Sequence, residues 1–274
     1  MLARVLIQLV IVLTILLIVS TAIFVGRDRL RRTHVEFRSR VRAIVPVTAV
    51  LGAVLLFNSV AREAVPELSW IVDWNLTWTI YDIEGGFIVW IQSFATPEAT
   101  AYFSFIYIYG YVFLLVFPLV AYFALPETRP IRELLTAYTL NYALGLLCYI
   151  LIIAYGPRNL MPELVDGLLY DAYPRYQYLT RQVNRNTNVF PSLHTSLAVT
   201  VALMAYRTRA VYPRWLPVAA LLAVSVAIST MYLGIHWAID VIAGIVLAYV
   251  SVGLASILVG GENALGVPGR QRNQ

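Results

Sequence analysis

The sequence contains no lysine and only one cysteine, and charged residues of either sign are scarce. All 20 basic residues are therefore arginines, whose guanidinium stays charged and can bind a phosphate through two parallel hydrogen bonds. A bias toward arginine codons explains the missing lysine more simply than a phosphate-binding role does. Because Cys148 has no partner cysteine, it excludes a disulfide within the chain.

Charge is too sparse for a soluble protein of this size. Of the 274 residues, 60% are hydrophobic and 13% are charged, and the mean hydropathy is +0.74. Soluble domains carry about 25% charged residues, so the composition predicts a polytopic membrane protein with the bilayer as its partner. The net charge of +5 does not indicate nucleic acid, because the arginines lie in short segments between apolar runs, where they orient the chain.

Seven apolar runs are candidates for membrane-spanning helices, which need about 20 residues each. They cover about residues 2–25, 43–60, 99–124, 134–155, 191–206, 216–233 and 236–259. The sequence thus predicts an all-α polytopic membrane protein. A positive cluster follows the first run rather than leading it, which favours a retained helix with its N-terminus outside over a secretory signal.

The runs divide the chain into three predicted regions. Residues 1–42 hold the first helix and a basic loop, residues 43–259 hold a membrane domain of six helices, and residues 260–274 form a polar tail. Between the second and third runs, Trp70, Trp74 and Trp78 recur every four residues. That spacing predicts one face of an amphipathic helix anchored at the membrane interface, and guidance of a lipid substrate is the alternative role.

Arginine positions predict the topology. The loop 26–42 holds seven arginines and two acidic residues, so the positive-inside rule places it in the cytoplasm. Counting crossings from an external N-terminus places the loops 126–133 and 207–215 and the tail on the same face. The loop 156–190 and the two apolar runs that begin with a histidine segment then meet at the non-cytoplasmic face.

Two of the three histidines lie at the mouths of these runs, in the segments 191–194 (Pro-Ser-Leu-His) and 236–240 (His-Trp-Ala-Ile-Asp). A titratable group near the bilayer is a functional candidate. His236 and Asp240 are four residues apart and would share a helix face. The carboxylate can then hold one ring nitrogen and leave the other as a nucleophile or base. A purely structural His–Asp pair is the alternative.

The first of these segments supplies further parts of a reaction. Proline is favoured in the first turn of a helix, where free N–H groups form an anion site, and Ser192 adds a hydroxyl donor. His194 can act as a general acid toward a departing oxygen, and arginines of the preceding loop can neutralise phosphoryl oxygens. These parts suffice for phosphoryl transfer through a histidine intermediate, for which we expect no metal and no other cofactor.

The pattern Pro-Ser-x-His followed by Ser-x6-His-x3-Asp resembles the type 2 phosphatidic acid phosphatase and vanadium haloperoxidase superfamily. The resemblance extends over roughly the second to seventh runs, so it implies that six of the seven helices form a phosphatase-like core. It also implies that His194 is the acid, His236 the nucleophile and Asp240 the residue that orients it.

At two positions the sequence departs from the usual motifs of that superfamily and resembles one of its branches instead. Leu193 stands between Ser192 and His194, and Thr230 follows Ser229, as in the branch that contains fungal inositol phosphorylceramide synthase. Members of that branch transfer a phosphorylated head group between lipids. The resemblance therefore implies head-group transfer somewhat more than hydrolysis.

The superfamily's first motif, a lysine followed seven residues later by Arg-Pro, is absent from the sequence. Arg129-Pro130 matches only its end, and the predicted topology places it on the opposite face. Arg158, directly after Gly156-Pro157, is the first candidate to replace this motif as a phosphate ligand. Arg181 and Arg185 compete with it.

The resemblance implies an integral membrane phosphotransferase or phosphatase that acts, at the non-cytoplasmic face, on a phospholipid or polyprenyl phosphate. Two other classes stay open from the residues alone. One is a metal-dependent membrane hydrolase with His194, His236 and Asp240 as metal ligands. The other is a non-catalytic lipid-binding or transport protein that retains an ancestral site.

Overall fold

The computed structural model describes residues 2–177 and 189–265, and the side chains of these residues except 62–66 and 261–265. Helices dominate the described residues, which contain no strand; their one β-type pairing is an isolated bridge between Asn75 and Ile153. The predicted all-α class is confirmed. The α-helices are α1 Leu2–Ser20, α2 Arg27–Val35, α3 Phe37–Val72, α4 Thr77–Glu84, α5 Phe87–Gln92, α6 Pro97–Phe105, α7 Tyr111–Phe123, α8 Arg129–Leu151, α9 Pro157–Leu160, α10 Leu168–Ala172, α11 Leu193–Arg207, α12 Trp215–Tyr232 and α13 Ala238–Leu265.

Three short segments of other helix types complete the chain path. A π-helix, Thr21–Val25, extends α1, and a second π-helix, Ile106–Gly110, joins α6 to α7 into one continuous rod. A 3-10 helix, Pro174–Tyr176, follows α10.

Six helical segments of the described chain are long and apolar enough to cross a membrane. They are Leu2–Val25, Phe37–Ala61, Pro97–Phe123, Arg129–Leu151, Trp215–Tyr232 and Ala238–Gly260. The protein is thus an integral, multi-pass membrane protein. The remaining predicted run forms α11, which has 15 residues and spans about 22 Å, short of the roughly 30 Å hydrocarbon core.

Helix α11 lies largely inside the bundle. It packs against α7, α8, α12 and α13, and most of its side chains are buried, including Thr195, Ser196 and Thr200. Asn141 of α8 donates a hydrogen bond to Thr200 Oγ1 over 3.1 Å and accepts one from Ser196. Such polar pairs join membrane helices, since lipid offers no partners of its own.

The tryptophan pattern between the second and third runs has a different structure from the predicted one. Helix α3 continues past its apolar run to Val72, where Asp73 adopts a left-handed conformation with φ 55° and ends it. Trp70 therefore lies on α3, Trp74 in the turn and Trp78 on α4. The prediction of one shared helix face was wrong, although all three side chains are exposed.

A close backbone contact between α11 and α13 sets the position of the histidine segments. A Cβ atom at Gly244 of α13 would lie 2.5 Å from the carbonyl oxygen of Ser192, far inside van der Waals contact. Only a glycine allows α13 to approach the start of α11 this closely. Gly253, also in α13, has nothing within 4 Å of such a Cβ atom.

We expect Gly244→Ala to lower the free energy of unfolding by about 1–3 kcal/mol, since the added methyl group overpacks a backbone contact. Thermal unfolding of the detergent-purified protein measures the change. Gly253→Ala is the matched control, and its alanine should be neutral or stabilise the helix by up to about 1 kcal/mol. Equal melting temperatures for the two variants would contradict the packing argument.

Candidate active site

Four segments of the chain meet at one end of the helix bundle. Backbone hydrogen bonds join Val189 N–H to Ala154 over 3.2 Å, Ser192 N–H to Asp240 over 3.0 Å, and Arg158 N–H to Gly234 over 3.2 Å. These bonds connect the end of α8, the start of α11, the end of α12 and the start of α13. The structure thereby brings together His194, His236, Asp240, Ser192 and Arg158, whereas Arg181 and Arg185 lie outside the described residues.

His236 and Asp240 are in contact, but they do not share a helix face as predicted. His236 precedes α13, which begins at Ala238, and Asp240 lies in its first turn. Asp240 Oδ2 lies 3.3 Å from His236 Nδ1 and accepts a hydrogen bond from the Trp237 N–H over 2.8 Å. The carboxylate therefore holds the imidazole at Nδ1 while it caps the helix, and Nε2 is left for other contacts.

Asp240 is fully buried, and its second oxygen, Oδ1, has no hydrogen-bond partner among the described residues. Backbone bonds fix the other side of the histidine, since the N–H groups of Ile235 and His236 both donate to the carbonyl of Thr230, over 3.0 and 3.1 Å. His236 is thus held from α12 through its backbone and from α13 through its ring.

Ser192 is the N-cap of α11. Its Oγ accepts a hydrogen bond from the Thr195 N–H over 3.4 Å and donates one to Thr195 Oγ1 over 3.0 Å. Pro191, expected in the first helical turn, instead precedes this cap, and its bond to Phe190 is cis. The N–H of Thr195 is therefore already bound by this cap. The anion site at the start of α11 and the role of Ser192 as a hydrogen-bond donor to phosphate stay predictions.

His194 lies in the first turn of α11 against two tyrosines. Its ring centroid is 4.7 Å from that of Tyr107 and 4.5 Å from that of Tyr111. The centroid of the His236 ring is 6.4 Å away. The histidine rings of the two separate motifs are therefore close to one another, with their planes tilted by 58°.

The tyrosines beside His194 were not predicted as site residues. Tyr107 lies within the π-helix Ile106–Gly110, and Tyr111 begins α7 directly after it. A π-helix inserts one extra residue into the hydrogen-bonding pattern and often marks a functional site. Hydrophobic periodicity carries no signal for such an insertion, so the sequence analysis did not identify these tyrosines.

Arg158 lies in the short helix α9 beside the residues that precede His236. Its guanidinium carbon lies 4.8 Å from the centroid of the Tyr170 ring, a cation–π distance. Its Nη1 is buried and has no hydrogen-bond partner within the described part of the chain. A buried guanidinium N–H without an acceptor is unfavourable, so the position suits an anionic ligand.

Glu84, at the end of α4, is a further residue that the sequence did not identify. Its two carboxylate oxygens accept hydrogen bonds from the N–H groups of Ala238 and Ile239, over 2.7 and 3.0 Å. The residue lies 154 positions before Ala238 and 155 before Ile239, and no local pattern distinguishes it from the other acidic residues of its segment.

Arg129-Pro130, which matches only the end of the superfamily's first motif, does not reach this end of the bundle. Arg129 begins α8, whereas the site lies beyond its other end, about 34 Å away for a helix of 23 residues. Arg129 and Arg207 both pair with Glu133, over 2.6 and 3.4 Å. They line a separate cavity of about 280 Å³ at that opposite end.

No group of three His, Cys, Asp or Glu side chains within residues 2–177 and 189–265 is arranged to hold a metal ion. His194, His236 and Asp240 accordingly do not form a ligand cluster. The geometry of these described residues gives no support to the alternative in which the three side chains bind a metal.

The chain matches a known protein family. A family model described as the PAP2 superfamily matches residues 63–254, which is more than half of the chain. The matched range contains α4 to α12 and the larger part of α13, and it includes both histidine segments, Arg158 and Glu84. No curated protein and no solved structure matches the chain.

Proposed function

Because the chain belongs to the PAP2 superfamily, whose members are generally phosphatases or phosphotransferases, we propose that it transfers the phosphoryl-containing group of a membrane lipid through a phosphohistidine intermediate. The observation that carries this proposal is the pair of histidine rings 6.4 Å apart, with the Asp240 carboxylate 3.3 Å from one of them. The expected donors are a phospholipid or a polyprenyl phosphate, which reach such a site from within the bilayer.

His236 is the proposed nucleophile. When the N–H at Nδ1 donates a hydrogen bond to Asp240, Nε2 carries the lone pair that attacks phosphorus. A nitrogen–phosphorus bond forms while the phosphorus–oxygen bond to the leaving group breaks. As positive charge develops on the imidazole, the buried carboxylate of Asp240 stabilises it, as in other triads where an aspartate orients a histidine.

His194 is the proposed general acid. Its ring lies across the gap from His236, so a phosphoryl group bound to one histidine has its leaving oxygen within reach of the other. A proton passes from His194 to that oxygen as it departs. In the second half of the reaction an attacking hydroxyl returns a proton to His194, and the nitrogen–phosphorus bond breaks.

The phosphoryl oxygens need positive groups, and two are proposed. One is the guanidinium of Arg158, whose buried Nη1 lacks a hydrogen-bond partner in the described residues. The other is the N-terminus of α11, where N–H groups and the helix dipole favour an anion. The N-terminus of α13 is a poorer anion site, because the carboxylates of Asp240 and Glu84 already occupy its first N–H groups. Ser192, Arg181 and Arg185 stay additional candidates.

Within this mechanism, transfer of a head group to a second lipid is favoured over hydrolysis. The support is the resemblance of Leu193 and Thr230 to the branch of fungal inositol phosphorylceramide synthase. Both side chains are involved in packing: Leu193 contacts α8 at Gly145, and Thr230 Oγ1 donates to the carbonyl of Ala227 over 2.7 Å. Neither side chain selects an acceptor directly, so the products must decide between water and a lipid or head-group hydroxyl as the attacking group.

The deciding experiment incubates detergent-purified protein with a phospholipid labelled in its phosphate, with and without candidate alcohol acceptors. A new labelled lipid that requires the acceptor supports head-group transfer, and labelled free phosphate or a labelled phosphorylated head group without a new lipid identifies hydrolysis. If neither product forms with phospholipid or polyprenyl phosphate donors, the proposed function is wrong.

We expect His236→Ala to abolish turnover, and His194→Ala to reduce it by about 10²–10⁴, the usual contribution of a general acid. His34→Ala, an exposed position in α2, is the control and should match the wild type. Wild-type activity should survive a chelator. Loss of activity in chelator that one metal restores would favour the metal-dependent hydrolase, and unchanged cellular function of His194→Ala would favour a non-catalytic protein.

We also expect Arg158→Gln to lower kcat/KM by about ten- to a hundredfold, because a hydrogen bond to a charged group contributes about 1.5–3 kcal/mol. Steady-state kinetics on the labelled lipid measures the change. Arg175→Gln is the matched control, since this exposed arginine of the same loop also lies over a tyrosine, Tyr176. An equal loss in both variants would assign the effect to the loop rather than to phosphate binding.

A further inference from the structure

Three successive N–H groups at the start of α13 are bound by carboxylates. The Trp237 N–H donates to Asp240 Oδ2 over 2.8 Å, and the N–H groups of Ala238 and Ile239 donate to the two oxygens of Glu84 over 2.7 and 3.0 Å. A helix leaves these first donors without partners of its own. One carboxylate comes from within the helix, and the other comes from α4, in a distant part of the sequence.

This arrangement decides where α13 begins. His236 lies two residues before the first helical residue, Ala238, and Asp240 lies two residues after it. The distance between the imidazole and the carboxylate therefore depends on the geometry of the few residues between them. Glu84 binds the backbone of two of these residues, so it restrains the turn on which the contact between His236 and Asp240 depends.

Helix α4 is a rigid support for that carboxylate. Thr77 and Ile80 are almost fully buried, and Thr77 Oγ1 accepts a hydrogen bond from the Tyr155 N–H over 3.2 Å. Tyr81 packs edge-on against the Trp237 ring, with centroids 6.4 Å apart. The helix is thus fixed against both the chain that follows α8 and the residue next to His236.

Glu84 occupies this position at an electrostatic cost. Burial raises the pKa of the Glu84 carboxyl above its ordinary value and the nearby Asp240 carboxylate adds to the increase, while the hydrogen bonds from Ala238 and Ile239 oppose it. Two carboxylates are held close to one another, and the N–H groups and positive dipole end of α13 compensate them. A residue needed only to end α4 would not require this placement.

We propose that Glu84 is a positioning residue that holds the junction between His236 and α13, and thereby keeps His236 on the carboxylate of Asp240. Its catalytic consequence rests on the proposed role of His236 as the nucleophile. The alternative is that Glu84 only caps and stabilises α13, in which case its loss would leave the geometry of the site unchanged.

The test compares Glu84→Ala, Glu84→Gln and Asp82→Asn in the full-length protein. Asp82 is an exposed acidic residue of the same helix and serves as the matched control. Hydrogen–deuterium exchange measures the amides of Ala238 and Ile239, and steady-state kinetics on the labelled lipid separates kcat from KM. Glu84→Gln keeps one acceptor oxygen, so it remains informative if Glu84→Ala fails to fold.

For Glu84→Ala we expect the two amides to exchange at least about tenfold faster and kcat to fall by about 10- to 100-fold, the effect of a misplaced reacting group. KM should change by less than about twofold, because lipid binding does not involve Glu84. Glu84→Gln should give intermediate exchange and kcat values, and Asp82→Asn should match the wild type in all measurements.

Unchanged exchange at Ala238 and Ile239 in both Glu84 variants would overturn the proposal. Faster exchange with an unchanged kcat would also overturn it, since Glu84 would then only cap the helix. If the wild-type protein turns over no lipid at all, the proposed function fails. The exchange data then decide separately whether Glu84 holds the junction.

Discussion

The rest of the site depends on the hydrogen bonds of one buried residue, Asp240. A carboxylate without exposure to water is stable only when hydrogen bonds compensate it. Asp240 obtains them from the Trp237 N–H and from His236, and its own backbone carbonyl accepts the N–H of Ser192. One residue thus joins the start of α13, the proposed nucleophile and the N-cap of α11, which lie in two separate motifs of the sequence.

The site lies where helices are interrupted, so the non-helical backbone there needs hydrogen-bond partners. Backbone groups within an apolar bundle must find partners in the protein, because lipid offers none. The extended residues after α8 meet this requirement: Ile153 exchanges hydrogen bonds with Trp74 and Leu76, Ala154 accepts from Val189, and Tyr155 accepts from the Trp237 indole over 2.8 Å. These residues connect the ends of α3, α8 and the two histidine segments, so the pairing that satisfies the backbone also assembles the site.

Sequence patterns predicted seven membrane helices, of which six are long enough to cross a membrane, and the approach of the two histidine segments, because hydropathy and arginine position act over whole runs. They failed where one residue changes the chain direction or a partner is distant. A spacing of four could not reveal that Asp73 ends α3 between Trp70 and Trp74, nor that α13 begins only after His236. Glu84 was missed for a different reason: its hydrogen-bond partners lie 154 and 155 residues away, and a capping carboxylate from another helix leaves no local periodicity.

The arginines at the two ends of the bundle have different partners. This difference indicates which of them can replace the missing first motif as a phosphate ligand. At the end with the cavity, Glu133 pairs with both Arg129 and Arg207, so each of those guanidinium groups already has an acidic partner in the folded protein. At the histidine end, Arg158 Nη1 and Asp240 Oδ1 are buried without hydrogen-bond partners in the part of the chain that the structure describes. Buried polar atoms left unsatisfied are rare and call for a specific cause. An anionic substrate would supply that cause for Arg158 Nη1, because its oxygens can accept the hydrogen bond, and this makes Arg158 a stronger candidate than Arg129 for the phosphate ligand.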